Sequence, residues 1–365
     1  MQTHLSGRAL RAFRSQLLMW FRTHRRELPW RASRDPYRLW IAEVMLQQTR
    51  IAAVIPYYER FLTRFPDFRA LAEAPQQDVL KLWSGLGYYS RARNLQAAAK
   101  KIVADHGGKF PRKLDQALEL SGIGAYTAGA VLSIAYDLPL AVLDGNVARV
   151  LARLNAVRGE LRAPKTWKAL GDTAQELLAD EAAGDWNQAL MELGEVICTP
   201  QNPQCLLCPV AKSCRALAEG LTAEIPEPRK KRAPVNVRIA AAILLDAKGR
   251  TLLVKDPGAH DDVLFSRMWQ FPAIEVKRNA ESELREYLKT TLRIRGAIEL
   301  RELAPARHGV TFRSILLLPF LIRVKSMPKV ARTRVLALKR LGTVPISSAT
   351  WKIAAAVNPQ CTARD

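Results

Sequence analysis

The chain has 365 residues, 48% of them hydrophobic, which is typical of a globular protein and enough for two domains with their own cores. It has no run of about 18 apolar residues for a membrane helix and no apolar signal-peptide core at its start, so we expect a cytoplasmic protein. Its 56 Lys and Arg against 34 Asp and Glu give a net charge of +22, which favours a polyanionic partner, nucleic acid first and an anionic membrane surface second.

The first predicted elements are helices. Residues 8–24 have the apolar spacing of an amphipathic helix, and a second helix begins at Pro36. The Leu-Pro-Trp-Arg segment between them contains Trp30 and Arg31. These two residues are either packing and surface residues or part of a pocket.

Glu43 lies in an otherwise apolar run, residues 40–46. On helix periodicity alone, a glutamate that faces solvent is the simpler interpretation. The apolar neighbours leave little room for a polar face, however, and a partly buried carboxyl has a raised pKa. Such a group can hold a proton near neutral pH, as a general acid must. The amides that follow, at Gln47 and Gln48, are able to hydrogen-bond base edges or to fill a vacated stack.

Two glycine turns each precede a predicted helix. Residues 85–93 combine glycines with tyrosines and arginines, which suits stacked bases and phosphates; a helix start with two core tyrosines fits equally well. In residues 118–154, Gly122 and Gly124 flank one apolar residue where the next helix starts. Glycine permits close approach of a ligand, and a helix N-terminus attracts anions, so this turn suits a phosphate. On the two glycines alone, a plain connection between helices is the simpler interpretation.

Asp144 precedes a third helical pattern in the same stretch. An aspartate in this position is usually an N-cap. Capping does not exclude catalysis, so both roles remain open for Asp144.

Four of the five cysteines fall within 17 residues, in the spacing C-x6-C-x2-C-x5-C. Their thiolates can close on one metal centre, and both zinc and an iron–sulfur cluster are chemically possible. Cys361 stands apart near the C-terminus. A disulfide framework is not expected in a cytoplasmic chain of this length.

The composition changes after Gly220. A Pro-rich, basic linker at 224–236 is followed by alternating and apolar patterns that predict an α+β domain. The predicted strands are 235–245, 251–255 and 312–324, and the predicted helices are 280–292 and 347–357.

Residues 268–272, Met-Trp-Gln-Phe-Pro, resemble the Trp-x-Phe-Pro step of the Nudix (MutT-like) fold. The Nudix hydrolase helix needs an Arg-Glu followed by a pair of glutamates for magnesium. The helix at 285–290 lacks that acidic pair, so we expect a recognition role and no nucleotide hydrolysis.

In combination, these motifs resemble those of the MutY family, the adenine DNA glycosylases of the endonuclease III-like helix-hairpin-helix superfamily. The resemblance is dense over residues 8–220 and loose beyond them. It implies a mainly α catalytic region with a helix-hairpin-helix and an iron–sulfur loop, then a linker, then an α+β Nudix-like lesion-recognition domain. The implied bounds are 1–223, with the cluster loop at 198–214, then 224–236 and 237–365.

The resemblance implies a monomeric, monofunctional enzyme without a membrane partner. It would excise adenine mispaired with 8-oxoguanine or guanine from double-stranded DNA and would associate with the nucleoid. Glu43 would protonate the flipped adenine at N7, and an ionised Asp144 would stabilise the cationic sugar. Tyr126 would form a hydrogen bond in the network around the acid, and Asn146 would orient Asp144.

Further site residues follow by position in the family. Gln48 and Tyr88 would enter the base stack, and the glycines of the hairpin turn, Gly122 and Gly124, would bind the DNA backbone. The adenine pocket would be lined by Trp30, Arg31 and Leu46, and a [4Fe–4S] cluster would be held by Cys198, Cys205, Cys208 and Cys214.

Endonuclease III has a lysine where this chain has Tyr126, and that amine forms a Schiff base. Tyrosine does not, so the resemblance implies glycosylase activity without strand cleavage. Two alternatives remain. One is a pyrimidine-damage or mismatched-thymine glycosylase of the same superfamily, and the other is a non-catalytic DNA-binding iron–sulfur protein.

The C-terminal domain departs from the family in its lesion-reading loop. The family presents a Phe-Ser-His loop between two strands to read 8-oxoguanine. Aligned from His308, the triplet here becomes Val310-Thr311-Phe312, which keeps a hydroxyl and loses the imidazole. We expect Thr311, or His308 in a shifted register, to contact the lesion, and a weaker preference for 8-oxoguanine over guanine.

Overall fold

The structure is a computed structural model that describes residues 3–228, 233–255, 268–310 and 312–357. It divides into two compact units, residues 1–74 with 90–230 and residues 75–89 with 231–365. In chain order, the helices are α1 (Gly7–His24), α2 (Pro36–Leu46), α3 (Ile51–Arg64), α4 (Phe68–Glu73), α5 (Gln76–Trp83), α6 (Ser90–His106), α7 (Leu114–Leu118), α8 (Ala125–Tyr136), α9 (Gly145–Leu154), α10 (Pro164–Leu177), α11 (Ala183–Val196), α12 (Arg215–Ala218), α13 (Ala280–Thr290) and α14 (Ser348–Ala355). The strands are β1 (Val235–Leu245), β2 (Arg250–Lys255), β3 (Trp269–Gln270), β4 (Ala273–Glu275), β5 (Arg301–Glu302), β6 (Ala306–Val310), β7 (Arg313–Arg323) and β8 (Thr333–Ala337).

The first unit is helical because its apolar residues recur at helical spacing. Phe13, Leu17 and Phe21 form one buried stripe of α1, which packs in a core with α9, α10 and α11. A second, smaller core joins α2 to α8 through Leu39 and Ile134. These two cores fix α2, α8, α9 and α11 around the cavity described below.

Both ends of α2 are held by side chains. Asp35 accepts a hydrogen bond of 2.9 Å from the N–H of Tyr37, and Pro36 occupies the first helical turn. At the other end, the buried guanidinium of Arg91 in α6 donates to the carbonyls of Val44 (2.8 Å) and Met45 (3.0 Å). Arg91, which follows the first glycine turn, is therefore engaged inside the unit and is not presented to phosphates.

The predicted hairpin connects α7 to α8. Gly122 has a φ of +76°, and a Cβ at this position would lie 2.7 Å from Cβ of Asn94, so only glycine fits there. Gly124 is the N-cap of α8 and supplies no side-chain cap. The first N–H groups of α8 are thus left without a capping side chain, as the anion-site prediction requires.

In the second unit, β1–β8 form one mixed sheet, ordered β3-β2-β1-β7-β5, with β4 on β1, β6 on β7 and β8 on β2. β1 and β7 are parallel and paired from Val235↔Arg313 to Leu245↔Arg323. Alternate β1 residues face opposite sides, so Ala242 and Leu244 pack toward α13 while Ala241 and Ile243 pack toward α14. The sequence predicted the longer elements within one or two residues, but it missed the short strands β3–β6 and β8.

Residues 75–89, which contain α5 and the first glycine turn, belong to the second unit. The hydroxyls of Ser84 and Tyr89 both donate to the carbonyl oxygen of Ile346, at 2.8 and 2.9 Å.

Within the described parts of the chain, no helix has the length and apolar character needed to span a membrane.

Candidate active site

The first unit contains a cavity of about 1080 Å3, at the upper end of the size range of ligand sites. It lies among α2, α8, α11 and the start of α9, and its wall combines apolar and charged side chains. Eight of the predicted site residues line it: Trp30, Arg31, Glu43, Leu46, Gln48, Tyr126, Asp144 and Asn146.

Glu43 is only 7% exposed, although it lines the cavity. Burial raises the pKa of its carboxyl to about 7. The hydrogen bond from Tyr126 and the charge of Arg31 oppose this rise, and the nearby carboxyl of Asp144 adds to it. Glu43 can therefore hold a proton near neutral pH, as the sequence predicted from its apolar surroundings.

Tyr126 is the hydrogen-bond partner of Glu43. Its Oη donates to Glu43 Oε2 at 2.8 Å and lies 3.3 Å from Sδ of Met191. Burial and the neighbouring carboxyls raise the pKa of Tyr126 well above its usual value, so its hydroxyl remains a donor. The predicted contact of Tyr126 with the acid side is present.

Asp144 is the N-cap of α9, and its Oδ1 accepts from the N–H of Val147 at 2.7 Å. Burial raises the pKa of this carboxyl. The N–H groups of Val147 and Asn146 and the charges of Arg149 and Arg162 act in the opposite direction. Asp144 thus has partners for its ionised form, whereas the carboxylate of Glu43 has the Tyr126 hydroxyl and a more distant Arg31.

Asn146 contacts Asp144 through its backbone N–H, not through its side chain. Its Oδ1 instead accepts from Nη2 of Arg149 at 2.9 Å, and the same nitrogen donates to the carbonyl of Gly194 at 2.7 Å. A Cβ on Gly194 would lie 2.8 Å from that of Asn146, so the close packing of α9 on α11 requires this glycine. Any influence of the Asn146 side chain on Asp144 therefore acts through Arg149 and the backbone.

A carboxylate that the sequence analysis did not single out lies in the same wall. Glu192 is 1% exposed, and it accepts hydrogen bonds from Arg26 Nε (2.6 Å), Arg26 Nη2 (2.8 Å) and Arg31 Nη2 (2.9 Å). Burial opposes its charge, but these bonds lower its pKa to about 2. The signal was available, because Glu192 lies between Met191 and Leu193 as Glu43 lies between apolar neighbours.

Gln48 and Tyr88, the residues expected to enter the base stack, share an uncommon backbone conformation. Their φ angles are +60° and +47°, in the left-handed region that is rare for residues other than glycine. Both side chains are exposed, Tyr88 by 40%. Gln48 follows α2 in the first unit, and Tyr88 belongs to the second.

His308 lies inside β6, paired with Ile315 of β7, and its side chain is half-buried. Burial and the charge of Lys352 lower its pKa. Thr311 lies outside the described residues, as do Cys361 and the basic run at 229–232 of the predicted linker. Phe312, after the last paired residue of β6, is 39% exposed.

The four clustered cysteines are free, partly buried and together line a small cavity. Burial raises the pKa of Cys208 to about 11, and the other three sulfurs are close enough to contribute. Arg153, 2% exposed in α9, donates from Nη1 to Sγ of Cys198 at 3.3 Å and to the carbonyl of Thr199 at 2.7 Å. Across the described residues, no three His, Cys, Asp or Glu side chains are grouped as ligands of a single metal ion.

Comparison with known proteins identifies the family to which the chain belongs. Residues 41–177 match the HhH-GPD superfamily of base excision DNA repair proteins. The adenine DNA glycosylase of Mus musculus is 36% identical over 348 residues, which cover 81% of this chain and 68% of that protein.

Solved structures support the helical fold of the first unit. A thermostable thymine-DNA glycosylase is 31% identical with a TM-score of 0.53, covering 57% of this chain and 97% of that one. A non-covalent complex of endonuclease III with DNA is 25% identical with a TM-score of 0.51, covering 60% of this chain and 99% of that one. The chain therefore belongs to the adenine DNA glycosylases, enzymes of the HhH-GPD superfamily of base excision DNA repair.

Proposed function

We propose that this enzyme, acting as a monomer in the cytoplasm, excises adenine mispaired with 8-oxoguanine or guanine in double-stranded DNA. The observation that carries the proposal is the pairing of two different carboxyls in one cavity. Glu43 is buried with a pKa of about 7, and Asp144 has backbone and arginine partners for its charge. Two carboxyls whose environments differ in this way divide into an acid and a charged stabiliser.

The adenine must leave the duplex before the glycosidic bond becomes accessible. The cavity receives the flipped base, and Gln48 and Tyr88 enter the stack that it vacates. The net charge of +22 supports binding to the phosphates, and the exposed hairpin turn with Gly122 and Gly124 supplies N–H groups for one of them.

Glu43 then donates its proton to N7 of the adenine. Protonation turns a poor anionic leaving group into a neutral one, and the Tyr126 hydroxyl stabilises the carboxylate that remains. The sugar becomes cationic as the bond breaks, and the ionised Asp144 stabilises that charge. Water completes the hydrolysis, and no lysine stands at position 126 to cut the strand.

A single-turnover assay on duplexes tests this proposal. We expect excision of adenine opposite 8-oxoguanine and opposite guanine, leaving an abasic strand that remains intact until it is heated in base. Release of thymine glycol or mismatched thymine without adenine release would show a pyrimidine glycosylase. Binding without excision of any base would show a non-catalytic protein.

We also propose that Cys198, Cys205, Cys208 and Cys214 hold a [4Fe–4S] cluster. These four cysteines line one cavity, and the buried Arg153 guanidinium and backbone N–H groups provide positive charge for an anionic cluster. In a cubane each thiolate binds a different iron, so the sulfurs need not converge on one ion as they do around zinc. A bound cluster would crosslink residues 198–214.

Metal analysis separates the two centres that the cysteines allow. We expect about four irons and four acid-labile sulfides per chain in protein purified without oxygen. One zinc per chain without iron would overturn the cluster proposal. Cys208→Ser should lower the iron content, whereas Cys361→Ser should leave it unchanged.

A further inference from the structure

Glu192 is a buried anion between two cations in the wall of the cavity. Its Oε1 accepts from the Nε and the backbone N–H of Arg26, at 2.6 and 3.2 Å, and its Oε2 accepts from Arg26 Nη2 and Arg31 Nη2. Both carboxylate oxygens are thus fully used. A carboxylate that is 1% exposed and bonded in this way keeps its charge and its position.

Arg31 is fixed by three contacts, and Glu192 is the only charged one that the described residues give it. Nη1 donates to the carbonyl of Arg26 at 3.1 Å, and the guanidinium carbon lies 5.4 Å from the centre of the Phe21 ring. The remaining contact is the ion pair with Glu192 at 2.9 Å. Without that pair, the charge of Arg31 would be uncompensated, and its guanidinium would be free to rotate into the cavity.

Arg31 is also the cation that influences Glu43. The titratable groups that act on Glu43 are Tyr126 from α8, Asp144 from the start of α9 and Arg31 from the turn before α2. From α11, Met191 lies against the hydroxyl of Tyr126, and the carboxyl of Glu195, which lines the same cavity, helps to raise the pKa of Tyr126. Glu192 is connected to this group by its ion pair with Arg31 at 2.9 Å, so its effect on the acid passes through Arg31.

We propose that Glu192 is a positioning residue that holds Arg31 against the cavity wall and compensates its charge, so that Glu43 stays protonated at neutral pH. The inference rests on the proposed role of Glu43 as the acid. Loss of Glu192 exposes Glu43 to an uncompensated positive charge, which favours the carboxylate over the protonated acid. The enzyme then loses its proton donor at a lower pH.

The pH dependence of single-turnover excision tests the proposal. In the wild type, we expect the rate to fall as pH rises through about 7, where Glu43 ionises. In Glu192→Gln, this fall should move to lower pH by about one unit, with about tenfold slower excision at pH 8 and a much smaller loss near pH 5.5. A purely structural role would lower the rate equally at every pH and would overturn the proposal.

A charge-balanced double variant separates compensation from packing. Arg31→Gln should move the fall to higher pH. If Glu192 acts through Arg31, adding Glu192→Gln to Arg31→Gln should leave the midpoint almost unchanged. If Glu192→Gln lowers the midpoint pH by the same amount in the wild type and in Arg31→Gln, then Glu192 does not act through Arg31 and the proposal is overturned. If Glu192→Gln alone folds poorly, Arg31→Gln and the double variant can still be compared, because the double variant has no uncompensated Arg31 charge beside Glu43.

Asp185→Asn is the matched control, since Asp185 lies on the same helix, α11, and pairs with Arg22 at 3.3 Å. Its pH profile should equal that of the wild type.

Infrared titration of the carboxyl band that disappears in Glu43→Gln reports the same midpoint without catalysis. No adenine excision by the wild type would refute the proposed function. If folded Glu192→Gln shows the same titration midpoint for this band as the wild type, this inference is refuted.

Discussion

The hydroxyl of Tyr126 donates a hydrogen bond of 2.8 Å to Oε2 of Glu43, inside the cavity that also contains Asp144. This bond favours the carboxylate and therefore works against the burial that keeps Glu43 protonated. The two effects leave the pKa of Glu43 at about 7, where a group serves both as a proton donor and, once ionised, as a stable carboxylate.

Replacement of Tyr126 by Phe tests this balance. Without the bond the ionised form of Glu43 is less favoured, so its pKa rises. We expect the alkaline fall in excision rate to move up by roughly one pH unit, which corresponds to about 1.4 kcal/mol. The plateau rate should drop, because Glu43 becomes a weaker acid. Tyr136→Phe, in the same helix and bonded to the carbonyl of Phe110, should leave the profile unchanged. A shift to lower pH in Tyr126→Phe would contradict the assigned direction.

Glu43→Gln removes the transferable proton while nearly preserving side-chain shape. We expect excision to fall below detection in a single-turnover assay and affinity for the mispaired duplex to remain within a few-fold of wild type. Glu59→Gln, a glutamate exposed on α3, is the control for loss of a negative charge. Wild-type excision by Glu43→Gln would eliminate Glu43 as the acid.

The same substitution changes how stability depends on pH. Glu43 ionises near 4.5 when unfolded and near 7 when folded. Its folded pKa is raised, so the stabilisation it gives is fully present below pH 4.5 and is lost as pH rises to about 7. Relative to Glu43→Gln, the wild type should lose about 3 kcal/mol of unfolding free energy over this range. Urea unfolding at pH 4.5 and 8 measures the difference, and a constant difference would place Glu43 in a more polar environment.

Asp144→Asn separates capping from charge. Asparagine caps helices as well as aspartate does, so α9 should keep its stability. The lost negative charge should lower the excision rate by at least about 100-fold, as expected for removal of electrostatic stabilisation from a transition state. Asp67→Asn makes the same change at the N-cap of α4, where Asp67 accepts from Ala70 N–H at 2.8 Å, and should not alter the rate. Equal losses in the two variants would indicate a stability effect only.

The sequence predicted the elements of the first unit well because helix periodicity and N-cap residues are local signals. Pro36 and Asp144 mark helix starts in the structure as they do in the sequence. The α+β character of the C-terminal region also followed from pattern, whereas two-residue strands such as β3 have too little sequence to show a period.

The unpredicted parts of the site are those made by distant residues. Glu192 lies more than 160 positions from Arg26 and Arg31 in the chain, so no spacing connects them. Asn146 follows Asp144 by two residues, which suggested a contact between their side chains. The sequence does not show that the side chain of Asn146 instead accepts a hydrogen bond from Arg149. The sequence of residues 85–93 fits phosphate contacts and a plain helix start equally well. The acceptors of Arg91 inside the unit are backbone carbonyls, which no residue type reveals.

The hairpin between β6 and β7 gives the last prediction. Val310 pairs with Arg313 at its end, and Phe312 is 39% exposed with the Arg313 guanidinium 5.7 Å from the centre of its ring. A phenylalanine cannot supply the hydrogen bond that a histidine would give to 8-oxoguanine, and one such bond is worth roughly 1–3 kcal/mol. We therefore expect a modest wild-type preference for adenine opposite 8-oxoguanine over adenine opposite guanine.

Phe312→His should raise that preference by about tenfold, measured as the ratio of single-turnover rates and of affinities on the two duplexes. Val335→His, at another exposed apolar position of the same unit, controls for a histidine added to the surface. A strong wild-type preference that Phe312→His does not increase would mean that other residues read the lesion. Loss of that preference in His308→Ala would then identify the histidine of β6, because its side chain is only half-buried and remains partly accessible.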